Sequence, residues 1–340
     1  MRRNLILVWC LLALAYVNAQ PKKFMVRTVA FYNVENLFDT INDPHKFDDD
    51  RTPNGADRWT SKVYSDHVQK IAKVLSEIGA DVTHHAPDII GVAEIENDAV
   101  LTDLINTPYL KKYNYGIVHY ESPDARGVDV ALLYKQGVFK PSSSKAHPLY
   151  LTKEDGKPLY TRDQLLVSGD LDGEEVHFIV NHWPSRLGGE AKSRPMREKA
   201  AALNKQIIDS LLKINPNAKI MSMGDFNDDP INSGFKNILK TKDKKEDVKS
   251  GELFNPMEAM LKKGMGTLAY QDGWNLFDQI YFTYDLLKED KSSYRYWKAG
   301  IFNRPYLANP KGRYKGYPFR SMANGNYTWG YSDHFPVYIY

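Results

Sequence analysis

Apolar runs in this 340-residue chain end repeatedly in polar residues able to do chemistry. They close at Asn33, at Glu94, at Asn181-His182, at Asp225-Phe226-Asn227 and, near the C-terminus, at Asp333-His334. A strand that stops at such a residue presents it to a cleft from a rigid scaffold. The donors are carboxylates, amides and imidazoles, and the whole chain has one cysteine. Hard oxygen ligands without thiolates suit magnesium, manganese or calcium and argue against a structural zinc site. Imidazole, with an unperturbed pKa of about 6.5, moves protons near neutrality. Taken singly, each residue has an ordinary reading, since a strand-end Asp or Asn forms turns and an isolated His is often a satisfied or surface residue.

The elements that must position these groups are mostly strands. β-Rich runs recur at residues 24–34, 88–95, 113–120, 128–134, 164–168, 176–181, 219–223, 279–283 and 335–339. Two stretches repeat at helical spacing instead: Val63, His67, Ile71, Val74 and Ile78, and then Met196, Ala200, Leu203, Ile207 and Leu211. Pro195 and Asn215-Pro216 mark the expected ends of the second. Many strands with few helices, and no repeat or clear linker, predict two packed sheets with helices outside them in one domain. Residues 241–255, rich in Lys, Asp and Glu, read as an exposed insertion.

A chain of this length buries a core without disulfide staples, which excludes a disulfide-rich miniprotein. Its 42% hydrophobic residues, with 22 Tyr, 14 Phe and 6 Trp, exclude a disordered chain. The first nineteen residues stand apart. Arg2 and Arg3 precede an apolar run from Leu5 to Val17, which closes with Val17-Asn18-Ala19. That is the pattern of a secretory signal peptide cleaved after Ala19, and the run is short of the roughly 20 residues of a membrane span. Residues 20–340 are then the mature, secreted catalytic domain, periplasmic or extracellular. The cleavage removes the cysteine and two basic residues, which takes the net charge from +3 to +1.

That near-neutral balance is uneven along the chain. Residues 291–332 carry eight basic residues, Lys291, Arg295, Lys298, Arg304, Lys311, Arg313, Lys315 and Arg320, with eleven aromatics and no acid. Cations interleaved with aromatic faces suit a phosphate-rich or ring-bearing substrate, and the alternative is a packed Tyr-rich loop with solvated charges. The opposite patch runs from Asp43 to Asp57 and includes Asp48, Asp49 and Asp50. Its spacing matches no calcium-loop pattern, so it reads as a solvated loop, with a calcium site as the alternative.

The order and local spelling of the strand ends carry more than each does alone. Phe31-Tyr32-Asn33-Val34-Glu35-Asn36-Leu37-Phe38 is followed by Gly91-Val92-Ala93-Glu94-Ile95 and Asn181-His182-Trp183. Met223-Gly224-Asp225-Phe226-Asn227 and Ser332-Asp333-His334-Phe335-Pro336-Val337 complete the series. Together they resemble the endonuclease/exonuclease/phosphatase superfamily with its deoxyribonuclease I-like fold, over roughly residues 25–340. The resemblance implies an α+β fold, a four-layer αββα sandwich of two mainly antiparallel sheets with outer helices and a cleft at one edge.

It also implies roles. Glu94 is the principal carboxylate ligand for a divalent metal, with Asn33 and Asp333 near it. Asp225 and Asn227 orient the attacking water and hold phosphoryl oxygens, and their spacing puts both on one face of an extended segment. His182 and His334 contact the scissile phosphate. Asp278, in Phe277-Asp278-Gln279-Ile280, orients His334. Glu121 is the carboxylate partner expected for His182, and Arg162, in Tyr160-Thr161-Arg162-Asp163, is a phosphate-binding arginine.

The function implied is a secreted phosphodiesterase dependent on Mg2+, with Mn2+ or Ca2+ as alternatives. A nuclease acting on DNA or RNA leads, because the basic aromatic segment suits phosphate contacts and base stacking. A phosphoesterase for sphingomyelin, inositol phosphates or another small phosphoester is the alternative. The absence of a stretch resembling a membrane-seeking amphipathic hairpin leans against sphingomyelin. A catalytically silent binding module is disfavoured because every expected catalytic position is filled. No stable protein partner and no transmembrane anchor after cleavage are implied.

Overall fold

β-Branched and aromatic runs become the strands of two six-stranded sheets in a computed structural model, which describes residues 24–153 and 155–340. The expected signal peptide lies outside the described residues. The first four strands are β1 (Val29–Leu37), β2 (Ile89–Ile95), β3 (Tyr115–His119) and β4 (Asp129–Lys135). The chain then crosses to the second sheet with β5 (Phe139–His147), β6 (Gln164–Leu171), β7 (Glu174–His182), β8 (Lys219–Asp225), β9 (Leu253–Phe254) and β10 (Asp278–Thr283). It returns with β11 (Ala299–Ile301) and β12 (Val337–Ile339). Strand order is β11-β12-β1-β2-β4-β3 in one sheet and β9-β10-β8-β7-β6-β5 in the other. Within these sheets β1 with β2 and β7 with β8 pair parallel, and the other pairs are antiparallel.

All nine expected β-rich runs are strands. β5, β9 and β11 were not expected. β5 reads Phe-Lys-Pro-Ser-Ser-Ser-Lys-Ala-His and lies at an edge with only Phe139 buried, so it has no buried face to impose an apolar alternation. Between the sheets lies the main core. Gly91 of β2 lets Met223 of β8 approach across it, since a Cβ at Gly91 would lie 2.7 Å from the Met223 sulfur and 3.2 Å from Phe31 Cδ2.

Helices α1 (Ser61–Glu77) and α2 (Asp98–Ile105) cover the first sheet, and α3 (Glu190–Ile214) covers the second. The result is the expected four-layer αββα sandwich. In α1 the anticipated stripe is buried through His67, Ile71 and Val74. The start of α3 differs from the expectation, because the helix begins at Glu190 and contains Pro195, which is exposed near its N-terminus. Its buried face is also rotated, to Arg197, Ala200, Ala201, Asn204, Ile207 and Ile208. Polar residues occupy that face because each finds partners: Arg197 Nε donates to Asp228 at 2.6 Å, and Asn204 Nδ2 donates to Gln164 and Asn181 at 2.9 and 2.8 Å.

The supposed insertion at residues 241–255 is exposed only in part. Thr241, Val248, Leu253, Phe254 and Asn255 are buried, and β9 joins this segment to the second sheet. Among the described residues, no helix is long and apolar enough to cross a membrane.

Candidate active site

Three neighbouring strands of the second sheet place His182, Asp225 and Asp278 in one transverse row. Asp225 on β8 is in register with His182 on β7 and with Asp278 on β10. Equal register across paired strands puts their side chains on the same face. Asn181, one residue earlier, faces the other way and is structural: its amide donates to Ser222 Oγ and accepts from Trp183 Nε1 and Asn204. Gly224 permits this crowding, because a Cβ there would lie 2.4 Å from the Asn181 carbonyl oxygen.

The first sheet supplies the facing wall. At the end of β2 the register slips against both β1 and β4, and Glu94 is the bulged residue, with a φ of 63°. Glu35 and Asn36, opposite it, are also left-handed, at 52° and 55°. Such a bulge re-aims a side chain at the edge of a sheet. Glu94 Oε2 accepts from the Asn36 N–H at 3.1 Å, which fixes the carboxylate, and Oε1 stands 3.7 Å from His182 Nε2. The two sheets meet where Asn33 Nδ2 donates to Asp225 Oδ2 at 3.1 Å.

The C-terminal segment closes the group. Ser332 Oγ donates to the Asn33 carbonyl at 2.7 Å and also accepts from the His334 N–H. His334 Nδ1 then donates to Asp278 Oδ2 at 2.7 Å, leaving Nε2 at 3.8 Å from both Asp225 Oδ2 and Asp333 Oδ1. Asn227, left-handed at φ 50°, donates its backbone N–H to Asp225 Oδ1 at 2.9 Å and its side-chain amide to the Trp183 carbonyl. The structure therefore brings together Asn33, Glu94, His182, Asp225, Asn227, Asp278, Asp333 and His334.

Environment separates the two imidazoles. Burial, and then the charge of Arg162, pushes the His182 pKa well below its ordinary value, so the ring is neutral. Burial also opposes charge on His334, but Asp278 and then Asp225 outweigh it and hold the imidazolium. Burial pushes Asp225 up to about 6, against the opposing charge of His334.

Two expected roles differ in the structure. Glu121 is exposed and, among the described residues, makes no contact with His182, whose Nδ1 is buried without a hydrogen-bond partner. Its loop is tied instead to Lys46, which donates to the Ser122 and Asp124 carbonyls. Arg162 is buried rather than free to clasp phosphate: Nη1 donates to Asp124 at 3.0 Å and Nη2 to the Trp183 carbonyl at 2.7 Å. The half-exposed guanidiniums at the cleft are Arg126, with Nη1 3.9 Å from Glu94 Oε1, and Arg320, with Nη2 3.2 Å from Asp333 Oδ2. Arg126 was not anticipated, since a lone basic residue in a loop carries no local signal. The same holds for Arg186, whose Nε fixes the Asn227 carbonyl at 2.9 Å while its plane lies 4.3 Å over Phe277.

The donor set fits a hard divalent cation. Among the described residues Glu94 Oε1 accepts no hydrogen bond, and it shares the cleft with the oxygens of Asn33 and Asp333. Among the described residues a different group of possible ligand atoms, Asp225, Asp278 and His334, lies within 4.8 Å of one another. That trio is a hydrogen-bonded dyad plus a base, and a cation there would have to displace the His334–Asp278 bond.

The basic aromatic segment divides in space. Arg304 pairs with Asp81, and Lys298 packs on Trp297 and Tyr340 beside the β11–β12 end of the first sheet, away from the cleft. The later part borders the site. Trp274 stacks on Phe335, next to His334, at 6.2 Å and 18°, and Tyr317 and then Tyr314 follow at 5.6 and 5.7 Å.

The sequence profile of the Endonuclease/Exonuclease/phosphatase family matches residues 28–340. No curated protein matches the chain. Among solved structures it is similar to truncated Caenorhabditis elegans TDP2, at 13% identity and a TM-score of 0.54, covering 92% of this chain and 96% of that one. It is also similar to a Bacteroides thetaiotaomicron mannosyl-6-phosphatase, at 19% identity and a TM-score of 0.53, with coverage of 93% and 99%. D. rerio TDP2 complexed with single-strand DNA product matches at 13% identity and a TM-score of 0.51, with coverage of 92% and 97%. With the profile spanning nearly every described residue, the chain belongs to the endonuclease/exonuclease/phosphatase family, whose members are metal-dependent hydrolases of phosphoester bonds.

Proposed function

We propose that this enzyme is a secreted nuclease that cleaves phosphodiester bonds by in-line attack of water on phosphorus. The observation that carries the reading is the run of rings from Phe335 through Trp274 and Tyr317 to Tyr314, which leads from His334 toward Arg313 and Lys315. Phe335 is buried and anchors the run, while Trp274 and Tyr314 are exposed, and exposed aromatic faces beside cations suit bases and phosphates.

In this reading Asp225, held by the Asn227 N–H and the Asn33 amide, takes the proton of the attacking water. As the water oxygen bonds to phosphorus the ester P–O bond breaks, and the His334 imidazolium, kept charged by Asp278, gives its Nε2 proton to the leaving oxygen. Neutral His182 hydrogen-bonds a phosphoryl oxygen, and Arg126 and Arg320 flank the phosphate. Glu94, Asn33 and Asp333 would hold the divalent cation, which when bound offsets charge developing on the phosphoryl oxygens. Magnesium is the ion we favour, because phosphate sites commonly bind it through one or two carboxylates.

A small phosphoester is the second reading. It is favoured by the division of the basic segment, which leaves a shorter cationic border than eight consecutive positions suggest. Neighbours of this fold include a TDP2 with a DNA product and a mannosyl-6-phosphatase, so the fold is compatible with both. One panel tests the choice, with plasmid DNA, RNA, sphingomyelin, inositol phosphates and bis-nitrophenyl phosphate under magnesium. Turnover of a small ester with none of either nucleic acid would replace the nuclease reading. Secretion rests on Arg2, Arg3 and the apolar run after them, and predicts a mature chain beginning at Gln20 outside the cytoplasm.

A further inference from the structure

The loop between β3 and β4 brings Arg126 to the cleft, and one buried carboxylate within that loop holds it there. Asp124 is 4% exposed. Its Oδ1 accepts the backbone N–H of Arg126 at 2.9 Å and stands 3.7 Å from Arg126 Nε, so a single oxygen meets both the main chain and the head of that residue. Its Oδ2 accepts from Arg162 Nη1 at 3.0 Å. Arg126 is itself half-exposed, and its Nη1 reaches to 3.9 Å from Glu94 Oε1.

Arg162 ties this loop of the first sheet to the catalytic row of the second. Its Nη2 donates to the Trp183 carbonyl, next to His182, and the same carbonyl accepts the Asn227 side-chain amide at 3.1 Å. The Nε is buried without a hydrogen-bond partner, so among the described residues the two Nη bonds are all that holds the guanidinium by hydrogen bonding. A planar fork that serves two acceptors at once fixes their separation, which a single flexible bond does not.

The rest of the loop has other support. Lys46 holds the Ser122 and Asp124 carbonyls, the Ser122 N–H donates to Asp129 at 2.9 Å, and the Phe47 N–H donates to the Ala125 carbonyl at 2.8 Å. Among the described residues, only Asp124 accepts from the Arg126 N–H. Loss of the Arg162–Asp124 pair therefore frees Arg126 more than it frees the loop.

We infer that Arg162 and Asp124 are positioning residues that act through Arg126, holding its guanidinium beside Glu94 in the cleft. The inference rests on the reading above that Arg126 flanks the phosphate, and it applies to a nucleic acid and to a small ester alike. The phosphate contact expected of Arg162 then belongs to Arg126, and Arg162 keeps that contact in place.

The test is a set of double-mutant cycles in the full chain with magnesium, reading kcat and KM for bis-nitrophenyl phosphate. Arg126→Ala should lower kcat/KM by about 10–100-fold. Asp124→Asn and Arg162→Lys should each lower it by about 5–30-fold, the first because an amide offers one oxygen to two donors, the second because one ammonium cannot span both acceptors. In the Arg126→Ala background either change should cost less than about twofold, a coupling that a role in folding alone does not produce. Arg162→Lys keeps the buried charge and decides the matter if Asp124→Asn does not fold. Losses that persist in full in the Arg126→Ala background overturn the inference, because they would route the effect through the Trp183 carbonyl to His182 and Asn227, or through stability. Wild-type kcat/KM in both Asp124→Asn and Arg162→Lys overturns it as well. Wild-type kcat/KM in Arg126→Ala removes the phosphate assignment itself, and the inference falls with it.

Discussion

Asn33 and Asp225, 192 residues apart, join the ends of the two sheets through one hydrogen bond, Nδ2 to Oδ2 at 3.1 Å. The same Asn33 accepts the Glu35 N–H through its side-chain oxygen at 3.0 Å, while Asp225 belongs to the row with His182 and Asp278. The wall that carries Glu94 and the wall that carries Asp225 are therefore fixed relative to each other by a contact between the two sheets.

Glu94→Gln should keep the fold and lose phosphodiesterase activity by at least about 10³-fold. The amide is isosteric and retains the acceptor for the Asn36 N–H, but it removes the charge that a divalent cation requires. Circular dichroism with magnesium-dependent turnover checks both halves. Full wild-type activity in excess chelator would remove the metal from the mechanism.

His182, Asp225 and His334 should act as one unit on one phosphorus centre, because 3.6 and 3.8 Å contacts link Asp225 to the two rings. Each single alanine variant should lower kcat by orders of magnitude, and double variants should cost far less than the product of the singles. Strictly multiplicative losses would mean separate steps or separate sites.

Arg313 and Lys315 test substrate class without disturbing Arg320, which is tied to Glu35 and Asp333. Replacing both with Gln should raise KM for nucleic acid and reduce the slope of log affinity against log salt by about 1–2. Hydrolysis of bis-nitrophenyl phosphate should barely change, since these contacts lie outside the reacting phosphate. An unaltered salt slope in the folded variant would favour the small-ester reading.

His67, wholly buried in α1, gives a pH signature of stability. Burial lowers its pKa to about 4; Lys70 and Arg51 act in the same direction, and the bond from Nε2 to the Val34 carbonyl and the charge of Asp66 oppose them. A group depressed on folding binds its proton mainly in the unfolded chain, so its contribution is intact above about 6.5 and is lost as pH falls toward 4. The loss is about 3 kcal/mol over that window. Urea unfolding should show a shallower acid slope for His67→Gln than for the wild type, and equal slopes would refute the assignment.

Most residues of the cleft were legible because catalysis dictates residue type and order, while apolar alternation marks the strands that end in them. Asn33, Glu94, Asp225, Asp333 and His334 could be picked out on that basis; two packed sheets with outer helices follow from counting strands against helices, and the four-layer αββα sandwich from the family resemblance. Pairings between distant loops were not legible. Nothing near Arg162 announces that Asp124 will pair with it, and nothing near Glu121 announces that Lys46 will hold the carbonyls of the residues after it. The buried face of α3 was misread for the same reason, since Arg197 and Asn204 are polar by type and become interior only when Asp228, Gln164 and Asn181 meet them. The basic segment looked continuous because sequence lists neighbours along the chain, whereas the fold carries its first half to one end of a sheet and its second half to the cleft. Local pattern determines which face of a strand or helix is apolar; the partner a polar group finds depends on sheet order and loop path, which are set only when the whole chain packs.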